Sequence, residues 1–206
     1  MRNPSNDHLW ITNTSAADCP LKSIVNEPPM KTIAMKPSIQ TVTSRATLSR
    51  SLVMMMGSVY EKKNDLSKAQ SSYEKALQVK PDDPLASNNL AYILLETNRN
   101  PDLALRLAQT ARRGKPELSN VADTLGWAFY QKGIYESAIS MFQEAIKLGA
   151  KYKEPESATY HYHLGLAYAH AAQPTLAKQH LERVLKINPN YSDADDVKKQ
   201  LAQLRS

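Results

Sequence analysis

The sequence predicts an all-α solenoid of antiparallel helix pairs, and three parallel registers of small residues predict it. Gly57, Ala91, Gly126 and Gly165 are separated by 34, 35 and 39 residues. Ala69, Ala104, Ala138 and Ala177 follow at 35, 34 and 39, and so do Ala76, Ala111, Ala145 and Val184. Registers that absorb the same insertions mark an internal repeat, each unit long enough for two helices and a turn. Pro81, Pro116 and Pro189 close units one, two and four, with Ala150 at the matching place of unit three. Four units are expected within residues 44–190, at about 50–83, 84–118, 119–157 and 158–191, followed by a capping helix over 192–206.

Residues 1–43 stand apart. They are rich in Asn, Ser, Thr and Pro, and Pro4, Pro20, Pro28, Pro29 and Pro37 interrupt any helical period, so a loosely ordered tail is expected, carrying Trp10 and the lone Cys19. From Ser44 the pattern turns helical. The first helix of each unit carries an apolar stripe, Leu125, Ala128 and Phe129 in unit three and Leu164, Ala167 and Tyr168 in unit four. Between helices stand Asn64-Asp65, Asn100-Pro101, Gly133 and Gln173-Pro174. Asp65 and Asn100 suit N-caps, and Pro101 and Pro174 suit the first helical position, where no amide donor is missed. Second helices place Ala69, Tyr73 and Ala76 on one face. Small residues on both helices let the backbones cross closely. In the last helix Ser192 is expected to cap, Asp193, Asp195 and Asp196 meet the positive helix end, and Val197, Leu201 and Leu204 form one apolar edge. The front end is oily instead, with Leu48, Leu52, Val53 and Met54 to Met56. Either the tail covers that face, or it self-associates, or the chain is a piece of a longer array.

These residues resemble the tetratricopeptide repeat, with its Trp-x2-Leu-Gly-x2-Tyr, Ala-x3-Phe, Ala and Pro positions. Unit one supplies Gly57, Tyr60, Ala69, Tyr73, Ala76 and Pro81; unit three supplies Leu125, Gly126, Phe129, Ala138, Phe142 and Ala145. Unit two has Ala91 for the glycine and Ala108 for the aromatic, and unit four has Leu164, Gly165, Tyr168, Ala177 and Leu181. The usual Trp is replaced by Val53, Ser87, Ala122 and His161. The resemblance covers about 140 residues and implies a right-handed superhelix with first helices lining a concave face. It also implies a bacterial protein-interaction adaptor that holds a peptide or partner protein there. The strings Asn-Asn-Leu-Ala, Asp-Thr-Leu-Gly-Trp and Tyr-His-Leu-Gly are similar to C-terminal repeats of bacterial exopolysaccharide assembly and export proteins, which would imply an envelope role as the alternative.

Carried onto this sequence, the family's groove positions are Asn88, Asn89 and Tyr92 in unit two and Asn120, Asp123, Thr124, Trp127, Tyr130 and Gln131 in unit three. Unit four gives Thr159, Tyr162, His163, Leu166 and His170. Trp127 lies off the core stripe of its helix, so it either anchors a partner or packs on the neighbouring unit. Family members that clamp a C-terminal carboxylate use Lys and Arg. Here those places carry Asn88, Tyr92, Thr124, Thr159 and His163 in one register, and Met54, Ser58, Asn89, Asn120 and Thr124 in the other. No such clamp is expected.

Other chemistries find little support. A single cysteine excludes an internal disulfide framework. His161 and His163 point to different helix faces, and His163 and His170 lie two turns apart, about 10.5 Å, so no metal site is expected. No phosphate loop, nucleophile motif or spaced carboxylate pair is present, so neither catalysis nor a cofactor is expected. Net charge is +6 and spread along the chain, an ordinary solubility excess. Arg106, Arg112, Arg113 and Lys115 make a local basic cluster, whose weaker alternative use is an acidic partner or RNA. No apolar run spans a membrane and no signal peptide is read, which leaves the cytoplasm as default, and the cell envelope if the chain is a fragment of an exported protein.

Overall fold

The computed structural model describes residues 39–204, with side chains from Thr47 onward. The expected tail, Trp10 and Cys19 fall outside the described residues, except that the first helix already begins at Ile39. Nothing after Pro37 blocks it. Nine helices and no strand are found among the described residues: α1 Ile39–Lys62, α2 Leu66–Val79, α3 Pro84–Glu96, α4 Pro101–Gly114, α5 Ser119–Gln131, α6 Tyr135–Lys151, α7 Ala158–His170, α8 Pro174–Ile187 and α9 Ala194–Gln203. They pack as the pairs α1–α2, α3–α4, α5–α6 and α7–α8, each pair on the next, with α9 against α8. First helices also meet directly, α3 with α5 and α5 with α7, lining one side of an all-α solenoid. No described helix is long and apolar enough to cross a membrane.

Local signals set the helix ends. Asp65 Oδ1 accepts from the Lys68 amide at 3.2 Å, and Asn100 Oδ1 from the Leu103 amide at 3.1 Å. Asp83, buried before α3, accepts from the amides of Leu85 and Ala86 and pairs with Arg50 at 2.5 Å. Prolines 84, 101 and 174 stand at helix starts. Ser192 does not cap α9: its hydroxyl donates to Asp193, which is the N-cap residue and makes no side-chain capping bond.

A further register follows the turns. Asn64, Asn98, Gly133 and Ala172 all hold positive φ, at 56°, 49°, 74° and 56°, and repeat at the same spacings as the small residues. Asparagine and glycine tolerate that left-handed conformation, whereas alanine there is strained. Ala172→Gly is therefore expected to stabilise the protein by about 0.5–1 kcal/mol after the added unfolded-chain freedom is deducted. Thermal melting checks this; an unchanged or lower Tm would contradict it.

Helix crossings obey a size rule. A Cβ added to Gly57 would meet Tyr73 at 2.4 Å, one on Gly126 would meet Phe142 at 2.6 Å, and one on Gly165 would meet Leu181 at 2.8 Å. In the second pair Ala91 already carries that Cβ, and its partner Ala108 is small; both are fully buried. Among the described residues no helix pair precedes α1. Leu52, Met56 and Val59 are at least 50% exposed there, while their repeat equivalents Val121, Leu125 and Ala128 are at most 6% exposed.

Candidate functional site

The first helices bring their groove positions together as an aromatic wall. On α5, Trp127 stacks on Tyr130 at 4.7 Å between ring centroids, and on His163 of α7 at 4.3 Å. Tyr130 meets Tyr135 and His170 edge-on, and those two rings stack at 5.0 Å. In the other direction His163 leads to Tyr162, and Tyr162 to Tyr191 before α9. Trp127 packs against two buried clusters, one built by α2 to α5 and one by α6 to α8. It is thus a packing residue and a groove residue together, and its Nε1 has no partner among the described residues.

The predicted residues divide by burial. Tyr92 is 42% exposed, and Asn120 and His170 are also open to solvent. Asn89, Trp127, Tyr130 and Tyr162 are partly exposed. Asn88, Asp123, Thr124, His163 and Leu166 are buried. Their work is internal: the Thr124 hydroxyl donates to the Asn120 carbonyl at 2.9 Å, and His163 Nδ1 donates to Asp123 Oδ1 at 2.9 Å. That buried hydrogen bond ties α7 to α5 directly beneath the Trp127 ring.

The same wall includes residues that sequence reasoning did not select. Leu95, Glu96 and Asn98 join the selected Trp127, Tyr130 and Gln131 in lining a pocket of about 430 Å³. Glu96 stands at the register of Gln131 and His170, so its place was readable. Tyr135, Tyr191, Asp193 and Asp196 come from α6 and the start of α9, and only the packing of the pairs brings them in. Tyr162 donates to Asp196 at 2.8 Å.

Electrostatically the groove is acidic. Burial, then the Glu96 carboxylate, pushes the Tyr92 hydroxyl up to about 12; burial, then Tyr135 and Asp196, does the same for Tyr130. Tyr162 and Tyr191 are raised as well, first by burial. All four stay protonated donors. Burial raises the Glu96 carboxyl too, with His163 opposing it and Asp193 and Asp123 adding to the rise.

A second polar cluster lies away from the groove. His161, at the position of the family's Trp, is buried, and its Nε2 donates to Glu156 while its Nδ1 meets His180 Nδ1 at 2.8 Å. Glu156 also receives a forked pair from Arg183. The carboxylate fixes His161 as the Nε2–H tautomer, so His180 donates into its Nδ1, and a second proton there has no room. Burial lowers both rings, His180 to about 4. An unfolded histidine titrates near ~6.5. Between those values the unfolded chain binds more protons, so stability is full above the upper value and is lost as pH falls toward the lower one. Tm is expected to drop from pH 6.5 to 5, ahead of the carboxylates. His180→Gln should flatten that slope; an unaltered slope would contradict the assignment. Among the described residues no group of three or more His, Cys, Asp or Glu could hold a metal ion.

The basic cluster of α4 is partly neutralised in place. Arg112 lies 3.8 Å from Glu144, Lys115 lies 3.3 Å from Glu117, and Arg113 donates to Thr110.

Comparison with known proteins agrees with this architecture. The tetratricopeptide repeat family matches residues 54–118 and 124–192, more than half of the chain. The type IV pilus assembly protein PilF of Pseudomonas aeruginosa is 25% identical over 142 residues, 69% of this chain and 55% of that protein. The general transcriptional corepressor ssn6 of Schizosaccharomyces pombe is 24% identical over 151 residues, 73% of this chain. This chain thus spans about half of one relative and 13% of the other. A solved Pseudomonas aeruginosa PilF structure superposes with TM-score 0.62 at 24% identity, covering 77% of this chain and 68% of that one. The Cut9–Hcn1 hetero-tetramer structure gives TM-score 0.64 at 21% identity, covering 81% and 33%.

Proposed function

This chain belongs to the tetratricopeptide repeat family, and on that premise we propose that it is a non-catalytic interaction scaffold whose concave groove holds an extended segment of a partner protein. The observation that carries the reading is the run of partly exposed rings, Tyr92, Trp127, Tyr130 and Tyr162, along helices that face one another. Large, rigid side chains with a polar tip give contact area at small entropic cost, and the Tyr92 and Tyr130 hydroxyls are placed to hydrogen-bond an extended backbone. Asn89 and the exposed Asn120 add adaptable polar contacts.

The test is selection from a random peptide library displayed on phage, followed by affinity measurement on groove variants. Selected peptides should lose affinity for Tyr92→Ala and Tyr130→Ala. Peptides indifferent to both substitutions would place binding elsewhere.

An envelope-assembly role is the second reading. It is supported by the pilus assembly relative and by the repeat strings resembling those of exopolysaccharide assembly proteins. A deletion strain with intact pili, polysaccharide and surface proteins would contradict it. Use of the α4 cluster on an acidic partner or RNA is less well supported, since half of its cations already face carboxylates.

A further inference from the structure

The groove carries a charge opposite to that of the chain. The sequence is +6 overall, yet the charged groups acting on Tyr92, Glu96, Tyr130, Tyr162 and Tyr191 are the carboxylates of Glu61, Glu96, Asp123, Asp193 and Asp196. His163 is the one cationisable group among them, and it is hydrogen-bonded to Asp123. Several cations of the flanking elements are already paired, Arg50 with Asp83, Lys132 with Asp102 and Arg112 with Glu144. Among the described residues none forms an ion pair or hydrogen bond with Glu96.

That carboxylate shares its pocket with two features. The Trp127 and Tyr130 rings are parallel and stacked, 6° apart, and His163 covers the other face of Trp127, so the partly exposed Tyr130 is the ring this stack presents. The pocket measures about 430 Å³, room for a side chain. A free carboxylate beside a partly exposed aromatic ring in one pocket asks for a flat cation. A guanidinium has that shape: it forks onto a carboxylate and lies against aromatic faces. An ammonium is a compact point charge and satisfies only the first.

We infer that the groove takes a peptide segment bearing arginine, whose guanidinium pairs with Glu96 and lies against the partly exposed Tyr130 ring at the end of the Trp127 stack. This rests on the groove reading above and names the chemistry of its partner. The remaining acidic groups, Asp193 and Asp196 at the α9 end and Glu61 at the α1 end, extend the preference along the groove and disfavour acidic segments.

The probes are three short fluorescein-labelled peptides of one frame, carrying arginine, lysine or glutamate at the same positions, titrated into the full chain. The arginine peptide should bind about tenfold tighter than the lysine peptide, and the glutamate peptide should not bind. Glu96→Gln should lower arginine-peptide affinity about tenfold and close the gap to lysine, whereas Glu117→Gln, on a distant exposed loop, should not. Melting curves check that both variants fold. Equal affinity for arginine and glutamate peptides, or an unaffected Glu96→Gln, would overturn the inference. If library-selected peptides without arginine bind the groove while the arginine peptide does not, the inference falls and the groove reading stands. Arginine-peptide binding that ignores Tyr92→Ala, Tyr130→Ala and Glu96→Gln alike counts against both.

Discussion

Phe142→Ala is expected to cost about 3–5 kcal/mol, and Gly126→Leu about 1–3 kcal/mol or more by overpacking the same crossing. Phe142 is fully buried and belongs to the cluster of Ala138, Ile139, Leu164, Ala167, Tyr168 and Ala177, so truncation opens a cavity between two helix pairs. A Cβ at Gly126 would sit 2.6 Å from two atoms of that ring and 3.2 Å from Met141 Cβ. The ring is held on every side and cannot swing away. The chain supplies its own counterexample: Ala91 faces Ala108 in the second pair, where a small partner accepts the extra methyl. Gly126→Ala combined with Phe142→Ala should therefore cost less than the sum of the singles, by about 0.5–3 kcal/mol. Urea unfolding of the three variants measures this, and strict additivity would mean that the two residues do not share a crossing.

Tyr92→Ala is expected to weaken a groove-selected peptide by at least about tenfold, the loss typical of an interface aromatic, with Tm little changed. Tyr92 is 42% exposed and stands outside the stacked rings, so its removal takes contact area from a partner and little from the core. Trp127 behaves differently. Its ring bridges two clusters and covers the Asp123–His163 pair, so Trp127→Ala should lower affinity and also destabilise, by part of the about 3–5 kcal/mol of a fully buried aromatic. Off the core stripe of its helix, Trp127 reads from the sequence as either a partner anchor or a packing residue on the neighbouring unit; its contacts with two buried clusters show the packing. Comparing Tyr92→Ala with Trp127→Ala separates contact from support. If Tyr92→Ala binds as the parent does while Trp127→Ala fails, the tryptophan acts through the fold and Tyr92 touches no partner.

The repeats were legible because close helix crossings demand small residues at fixed intervals, and those residues recur with the same insertions. The caps at Asp65 and Asn100 were equally local. What escaped was set by distance in the chain rather than by pattern. Tyr191 and Asp196 reach the groove because α9 folds against the last pair, and Tyr135 because it opens α6 beside His170. Glu96 is a different omission, since its register was known and its neighbours were chosen. The start of α1 at Ile39 was hidden by the β-branched and hydroxyl residues of Ile39 to Ser44, poor helix formers that read as tail. The burial of Asp123, Thr124, His163 and Leu166 follows from contact between adjacent first helices, which one unit's periodicity does not contain.

The central claim, that partners bind along the concave face, is tested most directly by following the Trp127 indole N–H resonance while a library-selected peptide is titrated in. Substituting Trp10 assigns the signal. Burial leaves that N–H without a partner and places it under the aromatic wall, so the account predicts a saturable shift of this resonance together with those of Tyr92, Glu96 and Gln131. The signals of α4 and α8 residues far from the wall should stay in place. A peptide that binds tightly and moves only α2, α4 or α8 resonances would contradict the account and put the working surface on the other side of the solenoid.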